Sequence, residues 1–415
     1  MTALAAPVFL AACAVPDGGL FRAERYRDVH LYGVYADRFF SGELPYRDVF
    51  VEYPPGAFAV FLPPAALPAG DYNFAFKSLM ALCGLAALFA VILALLSLGV
   101  RGRKLYGAAA LFALSPLAVG PISLNTYDLW PAALTVGALA ALLRRRELLA
   151  SGLLGLAVTA KLYPLVIVPL ALLYVWVVAG RRRALQSLAL LVGVVLVVVL
   201  PFAALAPGGL WDSFHAQTAR GLQIESLGAA LLLAAHQLGF YDATVVHGAT
   251  RAASRDLAGS LPDALTTILS VLQLVAVALV WIVFVRRGPT AERLVLASAA
   301  AVAAFLAFNR FISPQYLVWL IPLVLLVPAR AALGLLACSL VLAQIWFFHY
   351  RDVFALDRIV WLVVARDAAL LALYVLLLAR LNTSTPSSEN TSCHWGLRRS
   401  RASPFAVARG SQRSA

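Results

Sequence analysis

The chain has 415 residues, 62% of them apolar and only 13% charged, with a formal net charge of +13 at pH 7. An ordinary soluble domain is about half apolar and about a quarter charged. The balance here excludes a soluble enzyme, a disordered regulator and a nucleic-acid-binding domain, and the long uninterrupted apolar blocks make the chain a polytopic membrane protein. Four scattered cysteines, Cys13, Cys83, Cys338 and Cys393, indicate neither a disulfide framework nor a zinc site.

A hydrocarbon core about 30 Å thick needs roughly 20 apolar residues per helix. Residues 3–15 form a short first span. They lack the basic leader of a secretory signal, and their shortness fits a start codon assigned late. Residues 17–73 make the first external segment. Apolar positions recur at helical spacing over 24–40, which predicts an amphipathic helix at the membrane surface. Pro45, Pro54 and Pro55 then impose extended or turn geometry. Spans follow at 76–99, 105–124 and 129–143. The block 148–179 is too long for one span, and Pro164 in the run Lys161-Leu162-Tyr163-Pro164 interrupts it. It therefore reads as a hairpin of two short helices. Further spans are expected at 184–205, 264–285, 294–308, 316–328, 331–348 and 359–379. Arg366 and Asp367 fall inside the last one, either as a pair in the bundle interior or as its true end. Residues 381–415, rich in Ser, Arg and Thr, cannot bury a core and are expected to be a disordered basic tail. The expected fold is thus an all-α transmembrane bundle of about eleven or twelve spans, with a membrane domain over 1–380 and a tail over 381–415.

Charge asymmetry orients it. With the N-terminus inside, Arg101, Arg103, Lys104, the runs 144–146 and 181–183, Arg286, Arg287, Arg293 and Arg330 all fall in cytoplasmic turns, against only Glu147 and Glu292. The outer side then collects the unusual residues: the acidic and aromatic first loop, Asp128 at the start of a span, Lys161 at a hairpin apex, and a polar loop with His215, Arg220, Gln223 and Glu225. Arg310, Gln315, His349 and Arg351 lie in two further outer loops. Singly, each fits a helix-end anchor. Together they are what an outward-facing site for a polar head group on a lipid requires.

The motifs are D-x-H-x-Y from Asp28, PYRD-x-x-x-EYPPG from Pro45, KLYP from Lys161, RGLQIES from Arg220 and SPQYL-x-W from Ser313. In this order they resemble the polytopic glycosyltransferases of family 87, in the GT-C superfamily, which includes polyprenyl-phosphomannose-dependent α-mannosyltransferases. The resemblance runs from about Asp28 to about Trp361. It implies a plasma-membrane enzyme with a catalytic acid in the first external loop, at the outer face. Its partners would be a polyprenyl-phosphate sugar donor, a glycolipid or glycan acceptor and the membrane lipids. No Gly-rich nucleotide-binding loop is present, in keeping with a lipid-phosphate donor.

Inverting glycosyl transfer needs a base for the acceptor hydroxyl and cationic stabilisation of the departing phosphate. Asp28 is the first choice for the base, on its match to the family's first-loop acid. Asp48 is second and Glu52 third. Arg220 is the first choice for the donor phosphate, since a guanidinium offers paired donors to phosphate; Lys161 and Arg310 follow. Tyr53, His215, Gln223, Glu225, Gln315 and His349 are candidates for binding substrate. No carboxylate pair or histidine cluster suggests a metal, so transfer is expected to need neither metal nor cofactor. The competing readings are a transporter or flippase of lipid-linked sugar, a scaffold for envelope assembly, and transfer of arabinofuranose in place of mannose. Transporters tend to show internal repeats and mid-span charges. Here there is no clear repeat, and such charges are few.

Overall fold

The fold comes from a computed structural model, which describes residues 2–16, 28–67, 70–247, 254–348 and 358–383. His349, Arg351, the sequence before Asp28 in the first loop and the tail beyond Thr383 lie outside the described residues. The protein is an all-α polytopic membrane protein. In chain order the helices are α1 (Thr2–Val15), α2 (Asp28–Phe40), α3 (Phe58–Ala65), α4 (Tyr72–Ser97), α5 (Gly102–Val119), α6 (Ile122–Asn125), α7 (Leu129–Leu143), α8 (Glu147–Ala160), α9 (Val168–Ala179), α10 (Arg181–Leu205), α11 (Pro207–Thr218), α12 (Leu227–Gln237), α13 (Ser260–Arg287), α14 (Ala291–Ala307), α15 (Leu320–Leu325), α16 (Arg330–Phe348) and α17 (Val360–Thr383). Short strands β1 (Leu222–Gln223), β2 (Thr244–His247) and β3 (Arg255–Ala258) form an antiparallel sheet ordered β1-β3-β2, with Gln223 opposite Asp256.

Among the described residues four helices, α4, α10, α13 and α17, are long and apolar enough to cross a membrane. The others are shorter and rely on neighbours. The helix pair expected in 148–179 forms as α8 and α9, joined by a 3-10 turn over Tyr163–Ile167. α14 is buried on nearly every side. Its sequence from Ala297 to Ala304 is almost all alanine, and small side chains allow close approach of neighbouring helices in a membrane bundle. α10 is the opposite case: most of its apolar surface is bare, as a lipid-facing helix requires.

The basic turns gather at one end. The guanidinium of Arg145, after α7, donates to the Val178 carbonyl near the end of α9, and Arg183 at the start of α10 lies 3.5 Å from Glu147. Arg287, closing α13, binds the Asn382 side chain, and Arg380 donates to the carbonyl of Pro328, before α16. Asp128 and Lys161 meet at the other end of the α7–α8 hairpin.

The expected surface helix of the first loop is described from Asp28 onward. It is docked against protein: Val29, Tyr32, Gly33, Tyr35 and Ala36 are buried. Tyr32 stacks on Phe61 at 4.2 Å and meets Tyr53 and Tyr127 edge-on. The loop after it turns sharply at Tyr46, whose φ is 69°. α11 starts hard against this turn, since a Cβ on Gly209 would fall 1.5 Å from the Tyr46 carbonyl oxygen. Gly56 touches the backbone at the end of α8, where a Cβ would stand 2.6 Å from the Thr159 carbonyl carbon. Only glycine permits that approach, and it carries Glu52 and Tyr53 towards Lys161.

Arg366 and Asp367 lie within α17, buried and 2.9 Å apart. They are the interior pair and not the end of the helix.

Candidate active site

A cavity of about 1020 Å³ opens at the end of the bundle away from the basic turns. Its wall is assembled from the start of α2, the loop before α3, the open end of the α7–α8 hairpin, α11, the β1–β3 ribbon and the segment between α14 and α15. Asp28, Glu52, Tyr53, Lys161, Arg220, Gln223, Glu225 and Gln315 all line it. These residues lie in five separate sequence motifs.

Asp28 sits at the first turn of α2. Tyr32 and Tyr35, four and seven residues on, share its helix face, so their burial turns Asp28 into the cavity. Its carboxyl has no hydrogen-bond partner among the described residues. Burial raises its pKa to about 7, the charges of Glu52 and Asp128 push the same way, and Lys161 opposes them. Glu52 accepts from the Arg220 guanidinium at 3.1 Å. Burial pushes the Glu52 carboxyl up and Arg220 pulls it back. Arg220 lies 4.9 Å from the centre of the Phe311 ring, and its Nε is buried without a partner.

Lys161 is held more firmly. Its ammonium is 2.5 Å from Asp128 and lies within 5 Å of the centres of the Tyr127, Tyr316 and Trp319 rings, an arrangement that stabilises a desolvated cation. Trp319 Nε1 donates to the same Asp128 oxygen at 2.6 Å, and the other oxygen of Asp128 is buried without a partner. Asp128 was visible in the sequence only as a charge at a helix start. The signal that finds it is the near-equal length of α7 and α8, which brings residues 128 and 161 to one level.

Glu225 is fixed from outside the cavity: Trp346 Nε1 donates to its carboxylate and Arg366 to its carbonyl. Burial lifts the Glu225 carboxyl to about 7 against the pull of Arg366. Tyr53 lies among Tyr32, Tyr35 and Phe61, with its backbone carbonyl held by the Tyr46 hydroxyl at 2.6 Å.

Three expected residues lie elsewhere. Asp48 faces solvent, bound to Arg47 at 2.8 Å and to the Leu44 amide at 2.7 Å, which keeps its carboxyl below the usual range. The turn at Tyr46 separates it from Glu52. Arg310 is directed to the Thr218 carbonyl at 2.5 Å and does not line the cavity. His215 is exposed on α11, stacked on Trp211. His349 lies outside the described residues. Among the described residues no group of three metal-ligating side chains occurs.

A family model, Glycosyltransferase family 87, matches residues 50–309. The chain belongs to glycosyltransferase family 87. The match takes in Glu52, Asp128, Lys161, Arg220, Gln223 and Glu225, whereas Asp28 precedes it. No curated protein matches the chain. This family 87 member is therefore a membrane glycosyltransferase, an enzyme that uses a sugar donor and an acceptor.

Proposed function

We propose that the protein moves a sugar, mannose in the first instance, from a polyprenyl-phosphate donor to an envelope glycolipid or glycan acceptor. Transfer takes place at the outer face of the plasma membrane and inverts the anomeric carbon. The acceptor oxygen attacks that carbon, its proton passes to Asp28, and the bond to the lipid phosphate breaks with the electron pair leaving on phosphate. Arg220 holds the phosphate and Lys161 adds positive potential beside it.

The observation that carries this reading is the pairing of Asp28 with Arg220 in one cavity. A base works best with a pKa near the operating pH, and Asp28 sits at about 7. Arg220 keeps a buried Nε–H without a partner, a donor that a phosphate oxygen satisfies.

The test is Asp28→Asn, which keeps size but cannot take the proton. Transfer from polyprenyl-phosphate mannose should fall by about 10²–10⁴-fold. Wild-type kcat/KM should rise with pH through about 7 as Asp28 loses its proton, and this limb should vanish in the variant. The raised pKa carries a further sign: the folded protein holds this proton more tightly than the unfolded chain does, so stability drops as pH rises from about 4 to about 7. Asp28→Asn should then melt no lower than wild type at pH 8. Near-normal turnover in the variant removes Asp28 from the mechanism.

A further inference from the structure

The acceptor oxygens of the β1–β3 ribbon are not used by this mechanism. Gln223 and Ser254 line the cavity and are each 5% exposed; Gln223 Oε1 has no partner among the described residues, and the Ser254 hydroxyl lies beside the Asp256 carboxylate. Gln223 stands opposite Asp256 in the ladder, and Ser254 precedes Asp256 by two, so strand alternation puts all three on one face. Leu222 and Leu257 take the other face and pack into an apolar cluster with Trp346. The Gln223 amide donates to the Arg310 carbonyl at 3.0 Å, which ties the ribbon to the segment after α14. There Asn309, 4% exposed, also lines the cavity, with its Oδ1 held by the Phe311 amide at 3.2 Å.

This part of the wall differs in chemistry from the rest. Asp28, Glu52, Asp128, Lys161 and Arg220 carry formal charge; Gln223, Ser254 and Asn309 are neutral, although the charged Glu225 and Arg255 flank them in the wall. A buried polar atom without a partner is costly, so an orphaned oxygen in a cavity wall points to a ligand. An ionised phosphate brings no protons to the Gln223 oxygen. A sugar hydroxyl does, and it can also accept from the amide and hydroxyl protons beside it. A cation is disfavoured, because the nearby carboxylate, Asp256, already feels the positive charge of Arg220.

We propose that Gln223, Ser254 and Asn309 form a subsite for the hydroxyls of a neutral sugar. It rests on the glycosyl-transfer reading above and specifies which part of the cavity reads the sugar, as distinct from the phosphate.

The test is the double variant Gln223→Met, Ser254→Ala in the full-length protein in detergent or nanodiscs. Gln223→Met removes an unpartnered oxygen and Ser254→Ala a hydroxyl beside Asp256, so melting should change little. The KM of one sugar substrate should rise about tenfold, the effect of losing one or two neutral hydrogen bonds. A rise confined to polyprenyl-phosphate mannose assigns the subsite to the donor sugar, and a rise confined to the glycolipid assigns it to the acceptor. Unchanged KM and kcat for both overturn the proposal. If wild type transfers nothing from the lipid donor, it is the transfer reading that fails. The subsite is then judged by titration with methyl α-mannoside and methyl arabinofuranoside: a melting shift in wild type, lost in the double variant, supports it, and no shift overturns it. A shift with Mn²⁺ or Ca²⁺ that the double variant abolishes identifies a cation site instead and also overturns it.

Discussion

Arg145 and Lys161 stand at opposite ends of α8, and their surroundings differ in kind. Arg145 is exposed, and the hydrogen bond from its guanidinium to the Val178 carbonyl is long at 3.4 Å. Lys161 is enclosed by three aromatic rings and a carboxylate at 2.5 Å. At the arginine end, charge matters for the side of the membrane on which it lies, and neighbouring arginines can stand in for one another. At the cavity end it matters for what it touches, and no neighbour replaces it. A positive residue in this protein therefore has a role that its place in the bundle decides.

The largest effect that breaks this comparison is all-or-none. In a background without the native cysteines, Ser41→Cys and Gly208→Cys should react with a membrane-impermeant thiol reagent in intact cells, and Arg182→Cys should not. The reverse pattern would put the cavity on the cytoplasmic side. Next in size is Lys161→Met. It leaves Asp128 buried without its cation, and loss of one partner of a buried pair costs about 3–5 kcal/mol. A large drop in melting temperature is expected, partly recovered by the double change Lys161→Met, Asp128→Asn. Arg220→Ala should be milder for folding but weaken donor use by about 1.5–3 kcal/mol, the value of a charge-assisted hydrogen bond, while the KM of the acceptor stays put. Equal donor kinetics would make Arg220 an anchor only. Smallest is Arg183→Ala at the arginine end. Its bridge to Glu147 is 3.5 Å long and the arginine is 38% exposed, so melting should shift by no more than about 0–1 kcal/mol implies. A drop as large as that of Lys161→Met would erase the distinction between the two ends.

The helical spans were legible in the sequence because apolar length is a strong signal and arginine turns punctuate it. Pro164 marked the break between α8 and α9, and α7 runs over the residues expected of it. The residues that gather at the cavity were legible where a motif carries its own chemistry, as at Asp28, Lys161 and Arg220. They were illegible where position depends on packing. Asp48 and Glu52 are four residues apart with the same charge, and only the left-handed turn at Tyr46, pressed by Gly209, sends one to solvent and the other inward. Ser254 gave no signal, since strands of two to four residues are too short for alternation to be read, and Asn309 lies in an irregular segment after α14 that has no period at all. Asp28 was chosen as the base on its match to the family's first-loop acid, but nothing in the sequence marked it as desolvated. The buried faces of Tyr32 and Tyr35 draw it inward, into a desolvated site.

The bond from Arg366 to the Glu225 carbonyl has a consequence for biosynthesis. α17 is the last of the described helices to leave the ribosome, and it supplies the anchor for the loop that follows Arg220 and Gln223. Glu52 must likewise wait through 168 residues of further synthesis for its partner. A nascent chain in the membrane therefore holds most of its bundle long before it holds a finished cavity. The cavity wall is finished as a late event, coupled to synthesis of α17, and a chain that stalls before α17 lacks the anchor.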